Sequence, residues 1–179
     1  IARRIEELGV TSVMEIAANQ GALARRLAAG GVVRSIIATD ADGAAIDKGY
    51  CAARGRGLPI DWAIFNPFSF ERSPLEPDPE VRFRADAVVV MALTHHLILT
   101  QSLGLRYILT VLGWFTSRYA FIEFMPLGLH DGTQGVATPP WYTEAWFREE
   151  FERHFEVVER TQLEPNRVLF VGRIRGHGS

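Results

Sequence analysis

Thr11-Ser12-Val13-Met14-Glu15-Ile16-Ala17-Ala18-Asn19-Gln20-Gly21-Ala22-Leu23-Ala24-Arg25-Arg26-Leu27 decides the fold. A short apolar run carries an acidic residue near its end, small residues lead to a glycine, and Leu23 and Leu27 then recur at helical spacing. The pattern predicts a strand, a tight turn and a helix. Small residues in such a turn let backbone approach a ligand, and the free N–H groups of the next helix end favour a polar or anionic group. A well-packed turn with no ligand fits the same residues. Ala17 and Ala18 stand where a dinucleotide fingerprint wants glycine, so Gly-x-Gly-x-x-Gly is not met.

The next stretch adds weight. Arg34-Ser35-Ile36-Ile37-Ala38-Thr39-Asp40 predicts a second buried strand, ending in an acid about 20 residues after Gly21, where nucleotide folds place a carboxylate that accepts both ribose hydroxyls. Glu15 and Asp40 therefore mark the carboxyl ends of successive strands.

Outward from this pair, the chain alternates. A short helix carries Ile1, Ile5 and Leu8 on one face. After the second strand, Gly43 to Arg54 predicts a helix with Ala44, Ala45, Ile46 and Tyr50 facing the core. Leu58 to Phe65 predicts a third strand, and the proline-rich, charged Ser69 to Arg84 a surface loop with one helical turn. Ala85 to Leu93 is apolar almost throughout, as a strand buried on both faces of a parallel sheet must be. Gln101 to Thr116 predicts a helix and Tyr119 to Phe124 a fifth strand. Met125 to Pro140 predicts a second long loop, and Thr143 can cap a helix whose inner face is Trp146, Phe147 and Phe151. Phe155 to Arg160 and Arg167 to Arg173, joined at Glu164-Pro165-Asn166, predict a closing antiparallel hairpin. The expectation is an α/β fold: a three-layer, doubly wound, seven-stranded, mostly parallel sheet closed by that hairpin.

Glu15-Ile16-Ala17-Ala18-Asn19-Gln20-Gly21 is similar to motif I of the class I S-adenosylmethionine (SAM) dependent methyltransferases, and Ala38-Thr39-Asp40-Ala41-Asp42 resembles their second motif. Ala92-Leu93-Thr94-His95-His96-Leu97, with Ile122-Glu123-Phe124-Met125-Pro126, resembles a bacterial group of these enzymes that includes nodulation-type methyltransferases. The resemblance covers nearly the whole chain and implies SAM as cofactor. Glu15 would then orient the methionine amino group, with the Ala17 and Asn19 backbone and Gly21 along the turn. Asp40 would hold the ribose, with Ala41 or Asp42 beside the adenine. Asn66 falls where the family reads the adenine amine, and Ala92 and Leu93 would approach the methionine end by backbone.

Asn66-Pro67-Phe68-Ser69-Phe70 also resembles the Asn-Pro-Pro-aromatic motif of amino-methyltransferases. That motif follows the fourth strand, whereas this copy follows the third.

His95 and His96 are the catalytic candidates. An imidazole with a pKa of about 6.5 takes a proton near neutral pH, which an oxygen or nitrogen acceptor must lose when it attacks a methyl group. Either histidine can equally pack beneath the following helix. Glu123 reads as a second acid/base or as a partner for loop backbone. Trp141 and Tyr142 read as a cover over the acceptor or as core anchors. No metal is expected, since adjacent histidines should point apart and His130, Asp131 and His154 have no ligand spacing.

With 179 residues, 47% hydrophobic and 22% charged, the chain fits one globular domain over residues 1–179. It opens at Ile1 inside a predicted helix, which leaves room for an upstream segment. A net charge of −2 gives no reason to expect nucleic acid, and no apolar run reaches the roughly 20 residues that span a bilayer. Cys51, the sole cysteine, excludes an internal disulfide and fits a reducing, cytoplasmic compartment. The sequence leaves the oligomeric state open.

The expected function is methyl transfer from SAM to a small-molecule or glycan-type acceptor at oxygen, with a histidine general base. Two alternatives remain: a non-catalytic domain of the same fold, and a NAD-dependent oxidoreductase, which would need the missing glycines and a Tyr/Lys or equivalent hydride-transfer site, whereas the only lysine is Lys48 on the helix after the second strand.

Overall fold

A computed structural model describes residues 1–129 and 138–175. Seven strands form one sheet in the order β3-β2-β1-β4-β5-β7-β6. They are β1 (Ser12–Ile16), β2 (Ser35–Asp40), β3 (Asp61–Ile64), β4 (Ala85–Val90), β5 (Thr116–Phe124), β6 (Phe155–Glu164) and β7 (Arg167–Ile174). The first five pair in parallel, while β7 runs antiparallel between β5 and β6. Strand order reverses between β1 and β4, so the crevice outside their carboxyl ends is where such a sheet binds ligands.

Seven helices complete the described chain: α1 (Ala2–Glu7), α2 (Ala22–Gly30), α3 (Gly43–Arg54), α4 (Pro79–Arg82), α5 (Thr94–Leu99), α6 (Leu105–Trp114) and α7 (Glu144–His154). Strand alternation divides the core in two. Ile5, Val13, Leu27, Val89 and Phe121 pack on one face, and Met14, Val88, Phe115, Phe124 and Phe147 on the other. β4 contributes to both faces and is fully buried at Val88, Val89 and Val90, which is why its sequence is a continuous apolar run. At the opposite edge, the Asp86 carboxylate accepts the Thr11 N–H and hydroxyl at 2.8 Å each, fixing the entry to β1.

Several boundaries differ from the sequence reading, each for a local reason. β3 starts at Asp61 rather than Leu58, where pairing with Ile37 begins. β4 ends at Val90 because Ala92 turns left-handed at φ 51°. The residues after it form the short helix α5. Ser102 at φ 57° then breaks the chain before α6 starts behind the extended Gly104. On α3 the buried stripe is Ala45, Ile46, Gly49 and Ala53, and Ala44 and Tyr50 face solvent. The i, i+4, i+8 spacing selects that stripe, and Tyr50 instead lies near the Arg54 guanidinium, 6.0 Å from its ring centroid. Thr143 caps α7 as expected, accepting the Trp146 N–H at 3.2 Å.

Candidate active site

The turn after β1 is tight and ligand-sized. Ala17 and Asn19 adopt left-handed φ values of 55° and 51°, a region costing about 1 kcal/mol or more for a residue with a Cβ. Backbone bonds from Ala18 N–H to Thr39 O (2.9 Å) and from Gly21 N–H to Ala18 O (2.7 Å) hold it. Ala92, at the end of β4, is left-handed too, so three strained residues border one crevice.

Asp40 ties this turn to the next. One carboxylate oxygen accepts the Asn19 N–H at 2.7 Å and the other the Asp42 N–H at 2.9 Å. Asp42 caps α3, accepting the Ala44 N–H at 2.9 Å. Gly21 serves packing: at φ 66°, a Cβ there would lie 2.3 Å from the Trp62 ring, which also rests on Gly49. The signal for that role was Trp62 itself, a large residue on a short strand that needs small partners.

Glu15 is only 6% exposed and accepts the Ala24 N–H at 2.9 Å. Ala24 is the third residue of α2, so this amide has no partner within the helix. Burial pushes the Glu15 carboxyl up to about 7, against the Ala24 hydrogen bond and the Arg25 charge, with Asp40 adding to the rise. A cation in the crevice would restore its ionisation.

Two cavities meet at Ala17 and Asp40. The larger, about 510 Å³, is lined by Glu15, Asn19, Leu23, Met91, Ala92 and Arg167 among others. The smaller, about 110 Å³, is lined by Ala41, Phe65, Asn66, Phe68, Leu93 and Leu97 among others. The first holds a buried acid and a guanidinium, and the second is mostly apolar and aromatic, with the amides of Asn66 and Gln101. Asn66 accepts the Phe68 N–H through Oδ1 at 3.0 Å, which pins its side chain at the rim. Of the residues singled out in the sequence, Glu15, Ala17, Asn19, Asp40, Ala41, Asn66, Ala92 and Leu93 line one cavity or the other. Gly21, Asp42, His95 and His96 line neither.

The histidines sit on α5. Their rings lie 4.2 Å apart and tilted by 40°, so they do not diverge as the sequence reading supposed. His95 is 4% exposed and its Nδ1 has no hydrogen-bond partner among the described residues. Burial, then His96 and Arg167, hold its pKa at about 4, so it is neutral at pH 7. His96 is exposed.

Glu123, 1% exposed, is neither a free base nor a simple loop anchor. It accepts the Ala92 N–H at 2.6 Å and binds Arg167 twice, from Nε at 2.6 Å and from Nη2 at 3.1 Å. Thr94 donates to the Glu123 carbonyl at 2.7 Å, seating the start of α5 on β5. Arg167 escaped the sequence reading because only the antiparallel insertion of β7 brings its first residue to this edge.

Tyr142 is core, 5.0 Å from Phe124 by ring centroid, and Trp141 is 50% exposed against Trp146. Among the described residues no three His, Cys, Asp or Glu side chains form a metal cluster, and no helix is long and apolar enough to cross a membrane. His130 and Asp131 lie outside the described residues.

No family model and no curated protein matches the chain. Solved structures do. The N-methyltransferase NodS from Bradyrhizobium japonicum WM9 superposes with a TM-score of 0.65 at 17% identity, over 97% of this chain and 93% of that one. A SAM-dependent methyltransferase from Clostridium acetobutylicum reaches 0.71 at 9% identity, over 97% and 89%. The N-terminal domain of EvdMO1, crystallised in the presence of S-adenosylhomocysteine (SAH) and D-fucose, gives 0.68 at 18% identity, over 97% and 81%. The fold is that of the SAM-dependent methyltransferases.

Proposed function

We propose that the chain is a SAM-dependent methyltransferase acting on a small-molecule or glycan-type acceptor, at oxygen. The observation that carries this reading is Asp40, fixed between a cavity holding the buried acid Glu15 and a second, smaller cavity walled by Ala41, Phe68 and Leu93. That sequence of acid, carboxylate and apolar slot matches amine, ribose and purine in order. Glu15 would hold the amine, Asp40 the ribose hydroxyls, and Asn66 the edge of the base. Ala92 and Leu93 would line the methionine side.

The fit is chemical as well as spatial. A carboxyl buried at the cost of its charge recovers that charge beside an ammonium. SAM, when bound, supplies an electrophilic methyl group. The chain's own contribution is alignment in a water-poor pocket and removal of the acceptor's proton.

For the proton, His95 and His96 divide the work. His95 is neutral, and burial, then His96 and Arg167, oppose its protonation, so it would act as a hydrogen-bond acceptor for a hydroxyl that reaches α5 from the cavities. The exposed His96 is the member of the pair open to solvent. The neighbour crystallised with D-fucose supports a sugar-like acceptor; NodS, named an N-methyltransferase, favours an amine as the second reading.

The test is turnover of SAM to SAH with sugars, phenols and amines, alongside calorimetric titration with SAH and NAD. Turnover with a hydroxyl acceptor supports the reading, and turnover with amines alone moves it to nitrogen. Binding of SAH without turnover leaves a non-catalytic domain. Binding of NAD in its place overturns the reading.

A further inference from the structure

Arg167 has hydrogen-bonding capacity that the fold does not use. Its Nε and Nη2 are taken by Glu123, whereas the remaining N–H groups of its five have no partner among the described residues. Its side chain is 32% exposed and lines the 510 Å³ cavity together with Glu15.

The sheet register puts these charges on one face. Glu15 pairs with Val89 of β4, and Val89 with Phe121 of β5; Glu123 lies two residues further and shares that face. Two strand spacings across and two residues along place the Glu15 and Glu123 backbones about 12 Å apart. The guanidinium, drawn back onto Glu123, lines the same cavity as Glu15. An acid and a guanidinium on one cavity complement a group that carries both an ammonium and a carboxylate.

We propose that Arg167 is a carboxylate-binding residue of this crevice, and that Glu123 is its positioning residue. Fork geometry suits planar carboxylates, and the Ala92 N–H draws part of the Glu123 charge away from the ion pair. The carboxylate comes either from the methionine end of the cofactor or from the acceptor. The assignment rests on the methyltransferase reading above, and its experiment separates the two.

Calorimetry compares SAM with its decarboxylated analogue, for wild type and for the Arg167→Met/Glu123→Gln double variant, which removes the ion pair without leaving a buried charge. If the cofactor supplies the carboxylate, wild type prefers SAM by about tenfold or more and the double variant loses that preference. If the acceptor supplies it, this preference does not change, but with SAH saturating, wild type binds D-glucuronate more tightly than D-glucose and the variant does not. Arg167→Lys, which keeps the charge without the fork, should retain part of whichever preference is found, and serves if the double variant does not fold. Variants that bind SAH and change neither comparison overturn the assignment and leave Arg167 a structural partner of Glu123. A wild-type chain that binds neither SAM nor SAH overturns the methyltransferase reading, and this one with it.

Discussion

The Asp40 carboxylate accepts the Asn19 N–H at 2.7 Å, so the acid that ends β2 holds the turn that follows β1. One side chain thus shapes the crevice and, in the proposed function, holds the ribose. Asp40→Ala should lower stability by about 1–2 kcal/mol through the unpaired amides and weaken SAH binding by tenfold or more. Asp40→Asn, which keeps one acceptor oxygen, should fall between. Thermal unfolding and calorimetry on the same samples check this. An Asp40→Ala variant that binds SAH as wild type does would remove Asp40 from the site.

Glu15 makes the binding of a cationic ligand depend on pH. Its carboxyl titrates near 7 in the free chain, and an ammonium favours the ionised form, so affinity should rise about tenfold per pH unit from 5 to 7 and level off above. Glu15→Gln should bind weakly at every pH with a flat profile. A wild-type profile that is flat from 5 to 8 would show that Glu15 meets no cation.

The same shift affects stability with a defined sign. A carboxyl raised from 4.5 to about 7 keeps more protons in the folded chain than in the unfolded one between those values. Stability is therefore greatest below pH 4.5 as far as this group is concerned, and about 3 kcal/mol of it is lost by the time pH exceeds 7. Denaturant unfolding of Glu15→Gln against wild type should show the variant gaining relative stability from pH 5 to pH 8.

Backbone strain is testable at two neighbouring turn positions. Ala17→Gly relieves the left-handed φ of 55° and should stabilise the chain by about 0.5–1 kcal/mol. Gly21→Ala places a methyl group 2.3 Å from the Trp62 ring and should cost about 2–3 kcal/mol. Opposite signs would mean that the turn is held differently.

His95, with a pKa held at about 4, should leave no inflection in the rate between pH 5.5 and 8 at saturating SAM. His95→Ala and His96→Ala should each lower kcat, by about a hundredfold or more where the proton is lost to that ring. Unchanged rates in both variants would remove the histidines from the chemistry.

The fold could be read in the sequence because periodicity carries it: the apolar run of β4, the acids at the ends of β1 and β2, and the two closing strands all announce themselves locally. Glu15 and Asp40 were visible for the same reason. What the sequence hid depends on contacts between distant segments. Asp42 reads as a site acid, and the fold adds that it caps α3. Gly21 reads as ligand clearance, and the fold adds that it makes room for Trp62. Arg167 is an ordinary surface arginine until β7 inserts beside β5, and Glu123 could be read two ways until that insertion supplied its partner.

Titration of the chain with SAH by calorimetry at pH 8, where Glu15 is ionised, asks whether this crevice holds the cofactor. The prediction is saturable binding with one site per chain, weakened tenfold or more in Glu15→Gln and Asp40→Ala, with no heat from NAD. No binding of SAH by a folded wild-type chain would contradict the account.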